Sequence, residues 1–142
     1  MDNERERPLT WLGRSGGGPI TAADLDTFQR PAGLQVVILT SDEFTAVCPV
    51  TSQPDWYTVR VRYFPRQSCL ESKALKLYLQ GFRNEGVFCE ALAAQLAREL
   101  RDALDAELVE VTLTQKPRGG ISIEAQATAE SRQAGSSRLA GS

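Results

Sequence analysis

The sequence contains no histidine among its 142 residues. This absence excludes the Ser/His/Asp and Cys/His catalytic groups, the HExxH zinc site and any other site that uses imidazole as acid, base or ligand. If the protein is an enzyme, its protons are moved by carboxylates, thiols, tyrosine or lysine.

The sequence also lacks a long apolar run and a strong charge of either sign. No segment approaches the roughly 20 apolar residues that span a membrane, and 16 basic residues oppose 18 acidic ones. The N-terminus, MDNERERPLTWLG, is charged where a signal peptide has its apolar stretch. We therefore expect a cytoplasmic protein that binds no membrane and makes no direct contact with nucleic acid.

Cysteine is scarce, and Cys48, Cys69 and Cys89 are 21 and 20 residues apart. These spacings match no CxxC or zinc-ribbon pattern, and an odd number leaves one thiol unpaired in any disulfide scheme. The pattern predicts free thiols and no metal site.

The composition is that of one globular domain, with 42% hydrophobic and 24% charged residues. Residues 1–33 include the Gly-rich segment RSGGGP and show no sustained periodicity, which predicts an irregular lead-in. From residue 126 onward the side chains are mostly small and polar, which predicts a flexible tail over 126–142. The folded domain is expected over 34–125.

Between these ends the apolar periodicity predicts four strands and two helices. The strands are expected over 35–40, 57–64, 107–116 and 121–127, and the helices over 72–82 and 88–104. The order ββααββ needs no parallel crossover, so it predicts an α+β fold, an antiparallel sheet with both helices on one face. Its two edge strands are open to pairing with another copy of the chain.

The segment TAVCPVTSQPDW, residues 45–56, contains the first candidate for chemistry. A lone cysteine after an apolar strand is more often a packing residue than a nucleophile. Pro49 and Pro54, however, interrupt strand pairing, and the polar residues between them favour a turn, so Cys48 is expected at the end of a strand. The same turn can bring Asp55 toward the sulfur, where a carboxylate exchanges protons with a thiol or a substrate.

Two further groups have both a structural and a functional interpretation. Lys73 and Lys76 lie three residues apart near the start of a predicted helix, where they form either a solvated face or, with Arg118, a phosphate site. Glu90, in the first turn of the second helix, either interacts with the helix dipole or accepts the N–H groups of a guanine-like edge.

Three motifs, EFTAVCPVTSQPD, ESKALKLYLQGFRNEGVFCE and PRGGISI, resemble the single-module QueF family in order and separation. These proteins are NADPH-dependent 7-cyano-7-deazaguanine reductases of queuosine biosynthesis, and the resemblance covers about residues 35–125. It implies the tunnelling fold, in which ββααββ subunits join their sheets edge to edge into barrels, usually two pentamers stacked as a decamer.

The resemblance also implies a role for each matched residue. Cys48 corresponds to the nucleophile that forms a covalent thioimide with the nitrile, and Asp55 to the acid and base that protonates the nitrile nitrogen. The positions implied to bind the 7-deazapurine substrate are Glu90, Ser72, Glu71 and Cys89. Those implied to hold the NADPH phosphates are Lys73, Lys76 and Arg118.

The sequence departs from the family pattern at two of these motif positions. Ser52 stands where the family usually has glycine, and Cys89 stands where it has a histidine that contacts the substrate and helps to move protons. Because the resemblance places Cys48 and Cys89 around one pocket, a reversible disulfide between them is also expected.

Two other functions agree with the same motifs. A QueF-like amidinotransferase forms the same thioimide but lets ammonia attack it, and the archaeal members of that kind lack the NADPH motif that is present here as ESKALK. A non-catalytic barrel subunit that binds deazapurine nitriles would form no covalent adduct.

Overall fold

The structure is a computed structural model that describes residues 19–132. A 3₁₀ turn, Ala22–Asp24, precedes the regular elements. In chain order these are β1 (Thr27–Gln29), β2 (Val37–Val47), β3 (Pro54–Phe64), β4 (Ser68–Leu70), α1 (Ser72–Gln80), α2 (Cys89–Leu104), β5 (Leu108–Arg118) and β6 (Ile121–Glu130).

The main sheet has four antiparallel strands in the order β2-β3-β5-β6, and β1 pairs with β4 in a small second sheet. The predicted α+β class and the order ββααββ are confirmed, with β1 and β4 as additions. Neither helix in the described part of the chain is long and apolar enough to cross a membrane.

The core lies between the main sheet and α2, which packs on β5 and β6. The predicted leucine series of α2 is fully buried from Leu92 to Leu104, and each leucine contributes about 1.5–3 kcal/mol by leaving water. Phe88 lies outside this face because it is the N-cap residue, and its side chain is 56% exposed.

Both predicted domain limits need correction. The lead-in is not irregular throughout, since Thr27–Gln29 forms β1 and Leu25 is 1% exposed; three residues are too few to show a period. The tail does not begin at residue 126, because β6 continues to Glu130 and Ser131 is buried. The small side chains of this stretch include Ala127 and Ala129, which pack against the core beneath α2. Residues 1–18 and 133–142 lie outside the described part.

A bulge in β2 determines which way Cys48 points. β2 has two residues, Asp42 and Glu43, where β3 has only Thr58. One extra residue reverses the alternation of side chains, since successive strand residues point to opposite faces. After the bulge it is therefore Ala46 and then Cys48 that lie on the core side, and both are buried.

A second bulge, in β5, determines which way Arg118 points. β5 has Lys116 and Pro117 where β6 has only Ser122. The extra residue places Arg118 on the same face as the buried Gln115. The predicted hairpin then closes through Gly119–Gly120, whose φ angles of 58° and 78° suit the two-residue turn that follows the twist of the strands.

Ser52 lies in the turn between β2 and β3 and has a φ of 61°, in the left-handed region. A side chain with a Cβ is disfavoured there, whereas glycine is not. This conformation explains in physical terms why glycine suits the position.

We expect Ser52→Gly to raise the free energy of unfolding by about 1 kcal/mol, because it removes this backbone strain. The thermal midpoint should rise by about 3 °C, as measured by circular dichroism. The matched control is Val50→Gly in the same exposed turn, which has no positive φ to relieve and should leave the midpoint unchanged or lower it. Equal effects of the two changes would contradict the assignment of strain to Ser52.

Candidate active site

The candidate nucleophile lies in the turn that joins β2 to β3, residues 48–53, here called the Cys48 turn. The Cys48 N–H donates to the Gln53 carbonyl at 2.8 Å, and the Ser52 N–H donates to the Cys48 carbonyl at 2.9 Å. Cys48 therefore follows directly on the end of β2, as predicted, and its side chain is 6% exposed. The thiol is held by a short hydrogen-bonded turn rather than in mid-strand.

Hydrogen-bond donors within the Cys48 turn stabilise the thiolate. The Thr51 hydroxyl and the N–H groups of Thr51 and Val50 donate to the sulfur and, with a smaller contribution from Arg118, outweigh burial and lower the pKa of the Cys48 thiol to about 7. The Thr51 oxygen itself accepts the Gln53 N–H at 3.3 Å. The lowered pKa makes the thiolate of Cys48 more accessible at neutral pH than that of an ordinary cysteine.

Thr51 belongs to the candidate site through its effect on the pKa of Cys48, and the sequence analysis missed it because it treated the polar residues between the two prolines only as a turn. The signal that could have identified it is a hydroxyl three residues after a cysteine in a short loop, where side-chain and backbone donors can converge on one sulfur.

Asp55 lies at the start of β3, opposite Ala46, and is 3% exposed. The Arg118 guanidinium nitrogen Nη2 lies 3.1 Å from its Oδ1 atom. Arg118 also contributes to the lowered pKa of Cys48, so it lies beside both groups. The structure thus brings together the predicted nucleophile, the predicted acid and base, and one of the three predicted phosphate-binding cations.

The start of α2 is tied to the Cys48 turn. Val47, the residue before Cys48, donates its N–H to the Glu85 carbonyl at 2.9 Å and accepts the Val87 N–H at 3.1 Å. α2 begins two residues after Val87, so Cys89 and Glu90 are delivered to the same end of the sheet.

Cys89 and Glu90 differ in burial and in charge. Cys89 is 2% exposed, and burial, followed by the charges of Glu90 and Asp55, raises the pKa of its thiol to about 11. Cys89 is therefore a neutral thiol at pH 7, whereas Glu90 is exposed in the first turn of α2. Cys48, Cys69 and Cys89 are all free thiols, and the expected Cys48–Cys89 disulfide stays a prediction.

Glu71 has a structural task in the fold. It is the N-cap of α1, and its two carboxylate oxygens accept the N–H groups of Lys73 and Ala74, each at 2.9 Å. A cap of this kind stabilises a helix by about 1 kcal/mol. Both carboxylate oxygens of Glu71 thus have backbone partners, and the structure adds no support for its predicted role in substrate binding.

A cavity of about 590 Å³ follows the edge strand β2 and the adjoining face of α1. Its lining includes Ser72, two carboxylates and three cations, namely Asp42, Glu43, Lys76, Arg83 and Lys116. Of the three predicted phosphate-binding residues only Lys76 is here, since Lys73 and Arg118 are not among the lining residues. Lys116 and Arg83 were missed because spacing along a chain does not reveal which residues meet around a sheet edge.

Two buried polar atoms at the site have no hydrogen-bond partner among residues 19–132. They are Asp55 Oδ1 and the Tyr57 hydroxyl oxygen. The ion pair with Arg118 is short but lacks the angles of a hydrogen bond, so Oδ1 keeps its capacity to accept one. Buried polar atoms are nearly always hydrogen-bonded, and unpartnered ones concentrate at functional sites.

We expect Cys48 to titrate with a midpoint near pH 7, and its alkylation by iodoacetamide to speed up as the pH rises through 7 and then level off, because only the thiolate reacts. Thr51→Val removes the hydroxyl donor, so the midpoint should move to higher pH. The thiolate absorbance, followed with and without Cys48→Ala, measures this. A midpoint unchanged in Thr51→Val would contradict the role given to the hydroxyl.

Comparisons with known proteins identify the family of the chain. Residues 54–134 match the family model described as QueF-like protein. The chain is 43% identical over 120 residues to the NADPH-dependent 7-cyano-7-deazaguanine reductase of Syntrophobacter fumaroxidans, covering 82% of this chain and 77% of that protein. It is 43% identical over 114 residues to the protein of the same name from Frankia casuarinae, covering 79% and 91%. The crystal structure of the archaeosine synthase QueF-Like in the apo form is similar, with a TM-score of 0.64 and 26% identity over 68% of this chain and 95% of that one. The family predicted from the three motifs is confirmed, and the chain belongs to the QueF family.

Proposed function

We propose that the protein is an oxidoreductase that reduces the nitrile of 7-cyano-7-deazaguanine to an aminomethyl group with NADPH, through a covalent thioimide on Cys48. The observation that carries this proposal is a thiol with a pKa of about 7 whose neighbour Arg118 also pairs with the buried carboxylate of Asp55. It occurs in a chain that is 43% identical to two proteins named for this reduction.

The first step uses Cys48 and Asp55. The thiolate sulfur bonds to the nitrile carbon, one π bond of the triple bond breaks, and that electron pair moves to the nitrogen. Asp55 passes to the nitrogen the proton that the thiol gave up, so that S–H adds across the triple bond with no net change in charge. Asp55 suits this task because it is shielded from water and held by Arg118.

The substrate ring needs an acceptor for its N–H groups. Glu90 supplies a carboxylate in the first turn of α2, beside the buried thiol of Cys89. The raised pKa of Cys89 keeps that thiol protonated, so it offers the substrate a weak hydrogen-bond donor and no charge.

The residues around the cavity along β2 fit NADPH. Lys76, Lys116 and Arg83 offer positive charge for its phosphates, and Trp56, 48% exposed, offers a ring face for stacking. When bound, NADPH supplies the two hydride equivalents that carry a nitrile to an aminomethyl group.

One observation favours a second function, namely the likeness to a structure titled as an archaeosine synthase. An amidinotransferase uses the same thioimide, with ammonia in place of hydride as the group that attacks it. The three cations of the cavity, which outnumber its two carboxylates, are the feature that supports the reductase, because ammonia needs no phosphate site.

We also propose that the chains assemble through the edges of the main sheet. The two edge strands are β2 and β6, and they carry the exposed apolar residues Ile38 and Ile121. Edge-to-edge pairing would form the barrel that the resemblance implies, with a decamer as the expected size, which sedimentation velocity measures. Free thiols and a reduced cofactor fit the reducing cytoplasm expected from the sequence.

With 7-cyano-7-deazaguanine alone, we expect a covalent adduct on Cys48, detected by intact-protein mass spectrometry and absent in Cys48→Ala. Addition of NADPH should release the adduct and consume two cofactors per nitrile. The loss of the cofactor's absorbance measures this consumption. An adduct that ignores NADPH but yields an amidine with ammonia would replace the reductase by the amidinotransferase. No adduct at all would favour a non-catalytic binding subunit.

We expect Lys76→Ala to raise the KM for NADPH by about tenfold, the effect of one lost charged hydrogen bond. Formation of the adduct without NADPH should keep its wild-type rate. The comparison variant is Lys73→Ala, three residues earlier on α1 and outside the cavity lining. A larger effect at Lys73 than at Lys76 would contradict the placement of the phosphates in this cavity.

A further inference from the structure

Tyr57 is a buried residue to which the proposed reaction assigns no task. It lies on the core face of β3, opposite Phe44 on β2 and Gln115 on β5, and is 0% exposed. Its ring packs against Phe44 with a centroid distance of 5.7 Å. Its hydroxyl, however, has no hydrogen-bond partner among residues 19–132. Phenylalanine would pack the same ring without an unpartnered hydroxyl, so packing alone does not account for tyrosine here.

The Tyr57 hydroxyl lies among the groups of the candidate active site. Burial and then the charges of Asp55, Cys89 and Cys48 raise the pKa of Tyr57, with Arg118 opposing them. The hydroxyl therefore stays protonated at neutral pH and is available as a hydrogen-bond donor. In a chain without histidine, it is a neutral donor on the same face of β3 as the buried Asp55.

Asp55 Oδ1 is the complementary atom. It is an acceptor, it is buried, and it too lacks a hydrogen-bond partner, so the two groups are not bonded to each other. A donor and an acceptor that both lack a hydrogen-bond partner, the acceptor being held by Arg118 through an ion pair, complement an atom that carries one lone pair and one N–H. The imine nitrogen of a thioimide on Cys48 is such an atom.

We propose that Tyr57 is a catalytic residue whose hydroxyl donates a hydrogen bond to the nitrile nitrogen while the Cys48 sulfur adds to the carbon. Negative charge develops on that nitrogen as the π bond breaks, and a donor already fixed in a water-free site stabilises it most. Tyr57 keeps its proton throughout, and Asp55 delivers the one that the nitrogen gains and then accepts the resulting N–H. This inference rests on the proposed function.

The test is Tyr57→Phe, with the rate of adduct formation from 7-cyano-7-deazaguanine measured by mass spectrometry without NADPH. We expect the rate to fall about 100-fold, as for the loss of one donor to a developing negative charge. The thermal midpoint should stay the same or rise, because the lost hydroxyl had no partner. The midpoint of the Cys48 titration should also stay the same, which separates a contact with substrate from an effect on the thiol.

The matched control is Tyr63→Phe, a second fully buried tyrosine on β3 whose hydroxyl accepts the Leu70 N–H at 2.9 Å. It should lower the thermal midpoint and leave the rate of adduct formation within about twofold of wild type. A wild-type rate in Tyr57→Phe, or a slower rate explained by a shifted Cys48 titration, would overturn the role of Tyr57 while the proposed function stands. Absence of the adduct in the wild-type protein would instead overturn the proposed function.

Discussion

The central strand β3 is hydrogen-bonded to β2 on one side and to β5 on the other, and each neighbour carries one extra residue toward the same end of the sheet. These two insertions decide which side chains share a face with Asp55. Without them, the alternation of the strands would turn both Cys48 and Arg118 toward the opposite face. The pairing register of the strands therefore decides which side chains meet in the candidate site, whatever the chemistry of each residue.

The same sheet face changes character along its length. In the middle, Val59, Val61 and Val111 are buried beneath the helices and need only packing. At the end that holds the Cys48 turn, the buried side chains include a carboxylate, a tyrosine hydroxyl and two thiols. Unpartnered polar atoms would weaken a purely structural core. Two such atoms, Asp55 Oδ1 and the Tyr57 hydroxyl, lie at this end of the face, which supports the proposal that it binds a ligand.

Much of the fold and part of the candidate site could be predicted from the sequence, because regular elements follow from local periodicity. The leucine series of α2 and the turn after Cys48 are examples. A bulge of one residue leaves almost no trace in periodicity, so the convergence of Arg118 on Asp55 was not foreseen. The alanines of β6 were wrongly assigned to a flexible tail. Small side chains are typical both of flexible tails and of strands that pack closely beneath a helix, so composition alone did not separate the two.

The two backbone hydrogen bonds that join Val47 to the connection before α2 have a mechanical consequence. They join the strand end that presents the thiol to the segment that leads into the helix presenting Glu90. Glu90 is proposed to bind the ring of the substrate, and Cys48 is proposed to attack its nitrile. The distance between these two residues is then set by the fold and not by the binding of the ligand. A ligand held by one is already aligned with the other, which lowers the entropy lost on the way to reaction.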